Sequence, residues 1–89
     1  MNHSVCQLEI EIGQLLKKNK MTIATAESCT GGNIAALLAK HPGSSKFYIG
    51  SVVAYCNEIK HRVLGVSEET LNRQGAVSQE TVEQMAKGV

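Results

Sequence analysis

The spacing of apolar residues predicts a helix at the start of the chain. Apolar side chains recur there at steps of three and four residues, at Val5, Leu8, Ile12, Leu15 and Leu16. This period places them on one face of an amphipathic helix that runs from about Ser4 to Lys18.

Two later segments have the composition of β-strands. The stretch MTIATAES at residues 21–28 contains β-branched residues, and FYIGSVVAY at residues 47–55 is apolar on both of its alternating faces. Because strands of the second kind are typical of positions with helices on both sides, we predict a central strand there, ending at Tyr55.

Glycine, proline and small polar residues mark the ends of the remaining predicted helices. One helix follows the glycine pair at residues 31–32 and ends at HPGSS, residues 41–45. Asn57 is predicted to cap a short helix through EIKHRVL, and Ser67 to start another that Gly75 closes. Ser78 opens the last predicted helix. The order helix, strand, helix, strand, helix is typical of an α/β domain.

Length and charge exclude several classes of protein. The 89 residues suffice for one domain with a modest core. The net charge is only +1 and no long run of Lys or Arg occurs, so the sequence lacks the basic patch that binds a phosphate backbone. The apolar stretches fall well short of the roughly 20 residues of a membrane span, and the N-terminus does not have the pattern of a signal peptide. We therefore expect a cytoplasmic protein that binds neither nucleic acid nor membranes.

The cysteines and histidines give no sign of a disulfide framework or a metal site. They are scattered singly along the chain, at Cys6, Cys29 and Cys56 and at His3, His41 and His61. No CxxC pair occurs, and no two histidines have the spacing that places both on one helix face. We expect no metal ion and no cofactor.

The stretch AESCTGGN, residues 26–33, lies where the first predicted strand meets the second helix. Such a turn holds a serine hydroxyl outside the sheet edge and leaves backbone N–H groups for a phosphate or an oxyanion. Glycines at 31 and 32 would let a ligand approach closely.

Two known motifs do not fit this turn. The lysine that follows the second glycine of a P-loop is replaced by Asn33, and Ser28 lacks the flanking glycines of a hydrolase nucleophile elbow. Two interpretations remain: Ser28 is a nucleophile, or Ser28 or Thr30 merely caps the helix, with Cys29 as a small buried residue.

A serine nucleophile needs a base, and Lys60 is the candidate because no histidine lies in a suitable context. The pattern places Lys60 in the first turn of the helix capped by Asn57. There the positive end of the helix dipole, together with partial burial, would disfavour the protonated amine. The alternative is an ordinary solvated lysine.

Five short stretches occur in a fixed order along the chain: TAESCTGG at 25–32, GS at 43–44, YCNEIK at 55–60, LGV at 64–66 and GAVSQETVEQMA at 75–86. Together they resemble the CinA C-terminal domain family. The resemblance covers nearly the whole chain and implies a three-layer α/β/α fold with a mixed sheet. Members of the family include stand-alone nicotinamide-nucleotide amidases. The resemblance therefore implies hydrolysis of nicotinamide mononucleotide to nicotinic acid mononucleotide and ammonia, without a metal.

The resemblance also implies roles for individual residues. Ser28 would be the nucleophile, Lys60 its base, and Tyr55 an aid to proton transfer or positioning. The substrate-binding positions would be Glu27, Thr30, Gly31, Gly32 and Asn57. Backbone N–H groups around residues 30–32 would hold either the oxyanion or the nucleotide phosphate. For Glu27, a buried hydrogen-bonded role and a role near the substrate both remain open.

Family domains continue past the GAVS helix into further strands that this sequence does not contain. We therefore expect residues 1–89 to be the N-terminal portion of the domain, with exposed apolar surface on the strand at 47–55 and on the last helix. A homo-oligomer is expected for the same reason. The alternative to an amidase is a catalytically inactive binding or interaction module that needs a partner chain.

Overall fold

A computed structural model describes the backbone of residues 5–89 and the side chains from Leu8 onwards. The positions of His3 and Ser4 and the side chain of Cys6 lie outside this description. In chain order, the elements are α1 (Val5–Lys18), β1 (Ile23–Glu27), α2 (Asn33–Ala39), a 3₁₀ helix (Ser44–Lys46), β2 (Tyr48–Val53), α3 (Asn57–Arg62), α4 (Glu68–Gln74) and α5 (Gln79–Gly88).

The two strands pair in parallel. Ile23 lies opposite Tyr48 and Glu27 opposite Val53, with one irregularity in register after Ile23. The parallel arrangement requires a crossover between the strands, which α2 supplies. Beyond the last pair, the Ala54 N–H donates to the Glu27 carbonyl at 2.8 Å. The carboxyl ends of both strands therefore lie side by side.

Helices cover both faces of this sheet. Helix α2 contacts both strands and carries α1 on its outer side, while α5 contacts β1. Ala26 and Val52 pack against the main core, which consists of Ala54, Leu64, Val66, Leu71 and Met85. Because side chains alternate across a strand, Ala26 and Glu27 point to opposite faces. The predicted α/β class is confirmed, and a parallel pair is one component of the mixed sheet that the resemblance implies.

Two helix starts follow directly from local sequence. The Ser67 and Ser78 hydroxyls accept hydrogen bonds from the Thr70 and Thr81 backbone N–H groups at 3.0 and 3.1 Å. Each serine thereby satisfies a donor that the helix cannot satisfy internally. Gly75, with φ of 83°, ends α4. The predicted caps of α4 and α5 are confirmed.

Strand β2 differs from its prediction. It ends at Val53, so Tyr55 lies beyond it, and β1 is its only strand partner in the described chain. Ile49 is 72 % exposed, and Val53 is also exposed. Although helices contact both faces of the sheet, the prediction of a fully covered strand is wrong at these two positions, since the described residues leave large parts of both side chains exposed. The expected exposed apolar surface is confirmed on β2 and, at Val82, on α5.

Helix α3 begins one residue earlier than predicted. Cys56, in an extended conformation, occupies the N-cap position without a side-chain cap, and Asn57 is the first helical residue. The predicted cap at Asn57 is therefore wrong. Lys60 is the fourth residue of this six-residue helix, which is so short that Lys60 also belongs to its last turn.

Candidate active site

Ser28 follows the last residue of β1 and opens a tight turn into α2. Within the turn, the Ser28 carbonyl accepts from the Gly31 N–H at 3.0 Å, and the Thr30 carbonyl accepts from the Asn33 N–H at 3.1 Å. Gly31 and Gly32 have φ of 62° and 99°, in the left-handed region. A Cβ at Gly31 would meet no protein atom within 4 Å, so backbone conformation accounts for glycine there.

Glu27, the residue before Ser28, organises this turn. Its side chain is 3 % exposed, yet both oxygens are fully hydrogen-bonded. Oε1 accepts from the Thr30 hydroxyl at 2.8 Å and from the Ile34 N–H at 3.0 Å. Oε2 accepts from the Thr25 hydroxyl at 3.0 Å and from the Ala35 N–H at 2.8 Å. One carboxylate thus joins β1, the turn and the start of α2.

These hydrogen bonds determine the ionisation of Glu27. Burial opposes the charged form, but the bonds from Thr30, the Ile34 N–H, Thr25 and the Ala35 N–H outweigh it and hold the pKa of Glu27 below its ordinary value. The negative charge also lies at the positive end of the α2 dipole. Glu27 is therefore an ionised, buried carboxylate, and contact between it and a substrate stays a prediction.

The same bonds show what caps α2. Its N-cap residue is Gly32, which has no side chain to offer, and the Thr30 hydroxyl donates to Glu27 instead of accepting from the helix. The interpretation in which Ser28 or Thr30 merely caps the helix is therefore wrong. Glu27 supplies the capping oxygens from the neighbouring strand.

A line of hydroxyl groups extends from Glu27 across the sheet. The Thr25 hydroxyl bonds to that of Ser51, its register partner on β2, and Ser51 bonds to the Tyr48 hydroxyl. Since Thr25 donates its proton to the carboxylate, it must accept from Ser51, which in turn accepts from Tyr48. Sequence reasoning missed these three residues. The only trace of this network in the sequence is that both predicted strands carry hydroxyl residues, and this pattern is too common to predict a contact.

Lys60 is buried, with a relative exposure of 2 %. Its Nζ donates to the Tyr55 carbonyl at 3.2 Å, so the side chain runs back past the start of α3. No carboxylate forms an ion pair with it within the described residues. The solvated-lysine alternative is thus wrong. Tyr55 itself is 73 % exposed, and Asn57 is exposed as well.

The sheet edge brings these residues into one region. Ser28 and Tyr55 each follow the end of one of two adjacent strands, and Lys60 is bonded to the Tyr55 backbone. No hydrogen bond joins Ser28 Oγ to Lys60 Nζ in the part of the chain with described side chains. The Gly31 N–H is occupied by the Ser28 carbonyl, whereas the amides of Cys29, Thr30 and Gly32 donate to no acceptor in the described chain.

A cavity of about 230 Å³ opens beside this turn. Ser28, Cys29 and Thr30 form one side, and residues from the loop before α5 and from α5 itself form the other. All four of these are apolar, namely Ala76, Val77, Val82 and Met85. No basic side chain lines the cavity among residues with described side chains. Its mostly apolar lining suits a weakly polar group next to the Ser28 hydroxyl.

Neither a cluster of metal ligands nor a membrane-spanning helix occurs among the described residues. No group of three or more His, Cys, Asp or Glu is placed there to hold a metal ion. None of the helices within residues 5–89 has the length and apolar character needed to cross a membrane.

The fold and the site define a three-layer α/β domain with a serine turn at the carboxyl edge of a parallel strand pair. The sequence model of the CinA C-terminal domain matches residues 5–89. The chain belongs to the CinA C-terminal domain family.

Relatives of known name support this membership. A CinA-like protein of Endomicrobium trichonymphae is 60 % identical over 77 residues, which are 86 % of this chain and 18 % of that protein. A putative competence-damage inducible protein of Halothermothrix orenii is 56 % identical over 79 residues, 89 % of this chain and 19 % of the relative. The chain therefore spans about a fifth of these relatives.

Solved structures show the same fold. The competence damage-inducible protein A of Klebsiella pneumoniae superposes with a TM-score of 0.96 at 38 % identity, over 98 % of this chain and 54 % of that one. A competence/damage inducible protein of Agrobacterium tumefaciens gives 0.93 at 40 % identity, over 99 % and 53 %. The present chain spans about half of each.

Proposed function

We propose that this chain carries the nucleophile and the base of an amidohydrolase that converts nicotinamide mononucleotide to nicotinic acid mononucleotide and ammonia. The supporting observation is that the Ser28 turn and the buried Lys60 lie at the same edge of the sheet, after adjacent strands. The choice of nicotinamide mononucleotide as substrate rests on the resemblance to the stand-alone amidases of the family. The apolar cavity beside Ser28 is compatible with a pyridine ring.

In the proposed reaction, Ser28 Oγ attacks the carbonyl carbon of the carboxamide while neutral Lys60 accepts the hydroxyl proton. The carbonyl electrons move to oxygen and form an oxyanion. When the intermediate collapses, the C–N bond breaks, Lys60 returns its proton to the nitrogen, and ammonia leaves. Water then attacks the resulting ester with Lys60 again as base, which releases the acid and restores Ser28.

The turn offers donors for the charge that develops. The amides of Cys29, Thr30 and Gly32 are available for the oxyanion or for the nucleotide phosphate. Glu27 fixes the turn and lines the cavity, and we keep it as a substrate-binding position. Tyr55 is assigned to positioning or proton transfer at the rim. Asn57, also exposed, is assigned to the substrate side.

The proposal is tested by incubating the folded protein with nicotinamide mononucleotide and measuring released ammonia. Ser28→Ala and Lys60→Met should each abolish release, because one removes the nucleophile and the other the base. Cys29→Ala is the matched control next to Ser28 and should retain activity. No release from a folded wild-type sample, or release unaffected by Ser28→Ala, would refute the proposal.

The exposed apolar surface favours a second candidate function, an interaction module that a partner chain completes. Both strands have an unpaired outer edge in the described chain, and Ile49 and Val53 are exposed. We propose a second copy of the chain as the partner. Light scattering coupled to size-exclusion chromatography should then give at least a dimer mass. A monodisperse monomer at high concentration would contradict this candidate.

A further inference from the structure

A second cavity lies between α1 and the segment that follows α2. It has a volume of about 170 Å³, and none of its lining residues lines the cavity at Ser28. Its walls include apolar Ile10, Leu38 and Phe47 and the titratable residues Glu9, Lys17 and His41. The proposed hydrolysis uses none of them.

Glu9 is the unusual member of this set. Its side chain is 5 % exposed, and neither carboxylate oxygen accepts a hydrogen bond from any described residue. His41 Nε2 lies 3.4 Å from Glu9 Oε1, at ion-pair distance but without hydrogen-bond geometry, and Nε2 is equally without a partner. A buried carboxylate with no donor is strongly unfavourable. Both oxygens of Glu9 are therefore available to accept hydrogen bonds from a molecule that enters the cavity.

The surroundings specify what kind of donor fits. Lys17 faces the cavity from the same helix, but its amine lies over the Phe47 ring, 5.9 Å from the centroid, and its side chain is otherwise exposed to solvent. Lys17 thus makes no hydrogen bond to Glu9. A cation with N–H donors satisfies a buried carboxylate better than a neutral donor, because its hydrogen bonds are charge-assisted.

Volume and wall chemistry limit the rest of the ligand. A cavity of about 150 Å³ is large enough for a benzene-sized molecule, and the volume here, about 170 Å³, is similar, although this cavity is partly open to solvent and has polar as well as apolar walls. Ile10, Leu38 and the buried Phe47 ring match a hydrocarbon or aromatic body of that size. We infer that this cavity binds a small organic cation, a primary ammonium group on a compact apolar body, with Glu9 as its counter-ion.

Benzylammonium is a suitable probe, with benzyl alcohol as the neutral analogue of the same shape. Titrations followed by two-dimensional NMR should show saturable binding of benzylammonium. Backbone shifts should be confined to the segments around residues 9–17 and 38–47. Glu9→Gln should weaken binding about 10- to 100-fold, the worth of a charge-assisted bond. Glu11→Gln, an exposed site on the same helix, should bind like the wild type.

Three results would overturn the inference: no saturable binding to the wild type, equal binding of benzyl alcohol, or equal binding by Glu9→Gln. The wild-type titration keeps the test valid even if Glu9→Gln fails to fold. Shift changes located at the Ser28 turn instead of α1 would also exclude this site, because they would place the cation in the other cavity.

Discussion

Replacing Glu27 by glutamine tests whether one carboxylate holds the Ser28 turn. The side-chain amide of the substituted glutamine would keep one acceptor oxygen and turn an NH₂ group toward the other pair of donors. In either orientation it faces a backbone N–H, of Ile34 or of Ala35, which cannot rotate away. A buried N–H without acceptor costs about 1–3 kcal/mol, and the remaining bonds lose charge assistance. We expect a total loss of about 2–4 kcal/mol, a large part of the stability of a small domain.

Urea unfolding at neutral pH measures this loss, with Glu58→Gln as the control. Glu58 is an exposed carboxylate paired with Arg62 one helical turn away, so its replacement should cost no more than about 0.5 kcal/mol. If the free energy of unfolding of Glu27→Gln lies within about 0.5 kcal/mol of the wild-type value, the four hydrogen bonds contribute less to stability than we infer.

The same pair of proteins gives a pH dependence with a definite sign. Hydrogen bonds lower the pKa of Glu27 from its ordinary value of 4.5, so the unfolded chain binds a proton first as the pH falls. The stabilising contribution of the carboxylate is complete above the unfolded pKa and is lost as the pH falls through the folded one. The gap in unfolding free energy between wild type and Glu27→Gln should narrow below pH 4.5. A gap that widens there would contradict the reasoning.

Three other substitutions test separate features by urea unfolding. Lys60→Met should leave stability unchanged or raised, since it replaces a buried amine that has no ion-pair partner in the described chain by an apolar side chain of similar length, and a marked loss would argue for a structural role. Ser78→Ala should cost about 1 kcal/mol by removing the α5 cap, with exposed Ser45→Ala neutral. Gly13→Ala, which normally stabilises a helix, should destabilise here because the new Cβ would lie 2.9 Å from Phe47 Cζ. A gain in stability would show that the ring moves freely.

Sequence reasoning succeeded where structure depends on neighbouring residues alone. Ser67 and Ser78 cap helices through backbone groups three residues away, and Gly75 ends a helix through its own φ. Both strands were located because their residues favour extended backbone. The family was predicted from five stretches and is confirmed over residues 5–89.

It failed where a residue acts through a distant segment. The role of Glu27 depends on amides seven and eight residues ahead, which reach it only when α2 folds back onto β1. Ser51 and Tyr48 join the same network through strand register, which composition does not specify. The exposure of Ile49 was misjudged for a similar reason. An apolar pattern indicates which side chains favour burial, but it does not specify whether another element packs over them.

Helix α2 has only seven residues and no cap of its own. A helix this short does not persist in isolation, so α2 depends on the β1 carboxylate that holds its first amides and on its packing against α1 and both strands. Strand, turn and helix must consequently form and melt as one cooperative unit. Partly unfolded chains then lack the serine turn altogether. The nucleophile that we propose at Ser28 would then be presented only by the fully folded protein, which would spare partly folded chains from unwanted acylation.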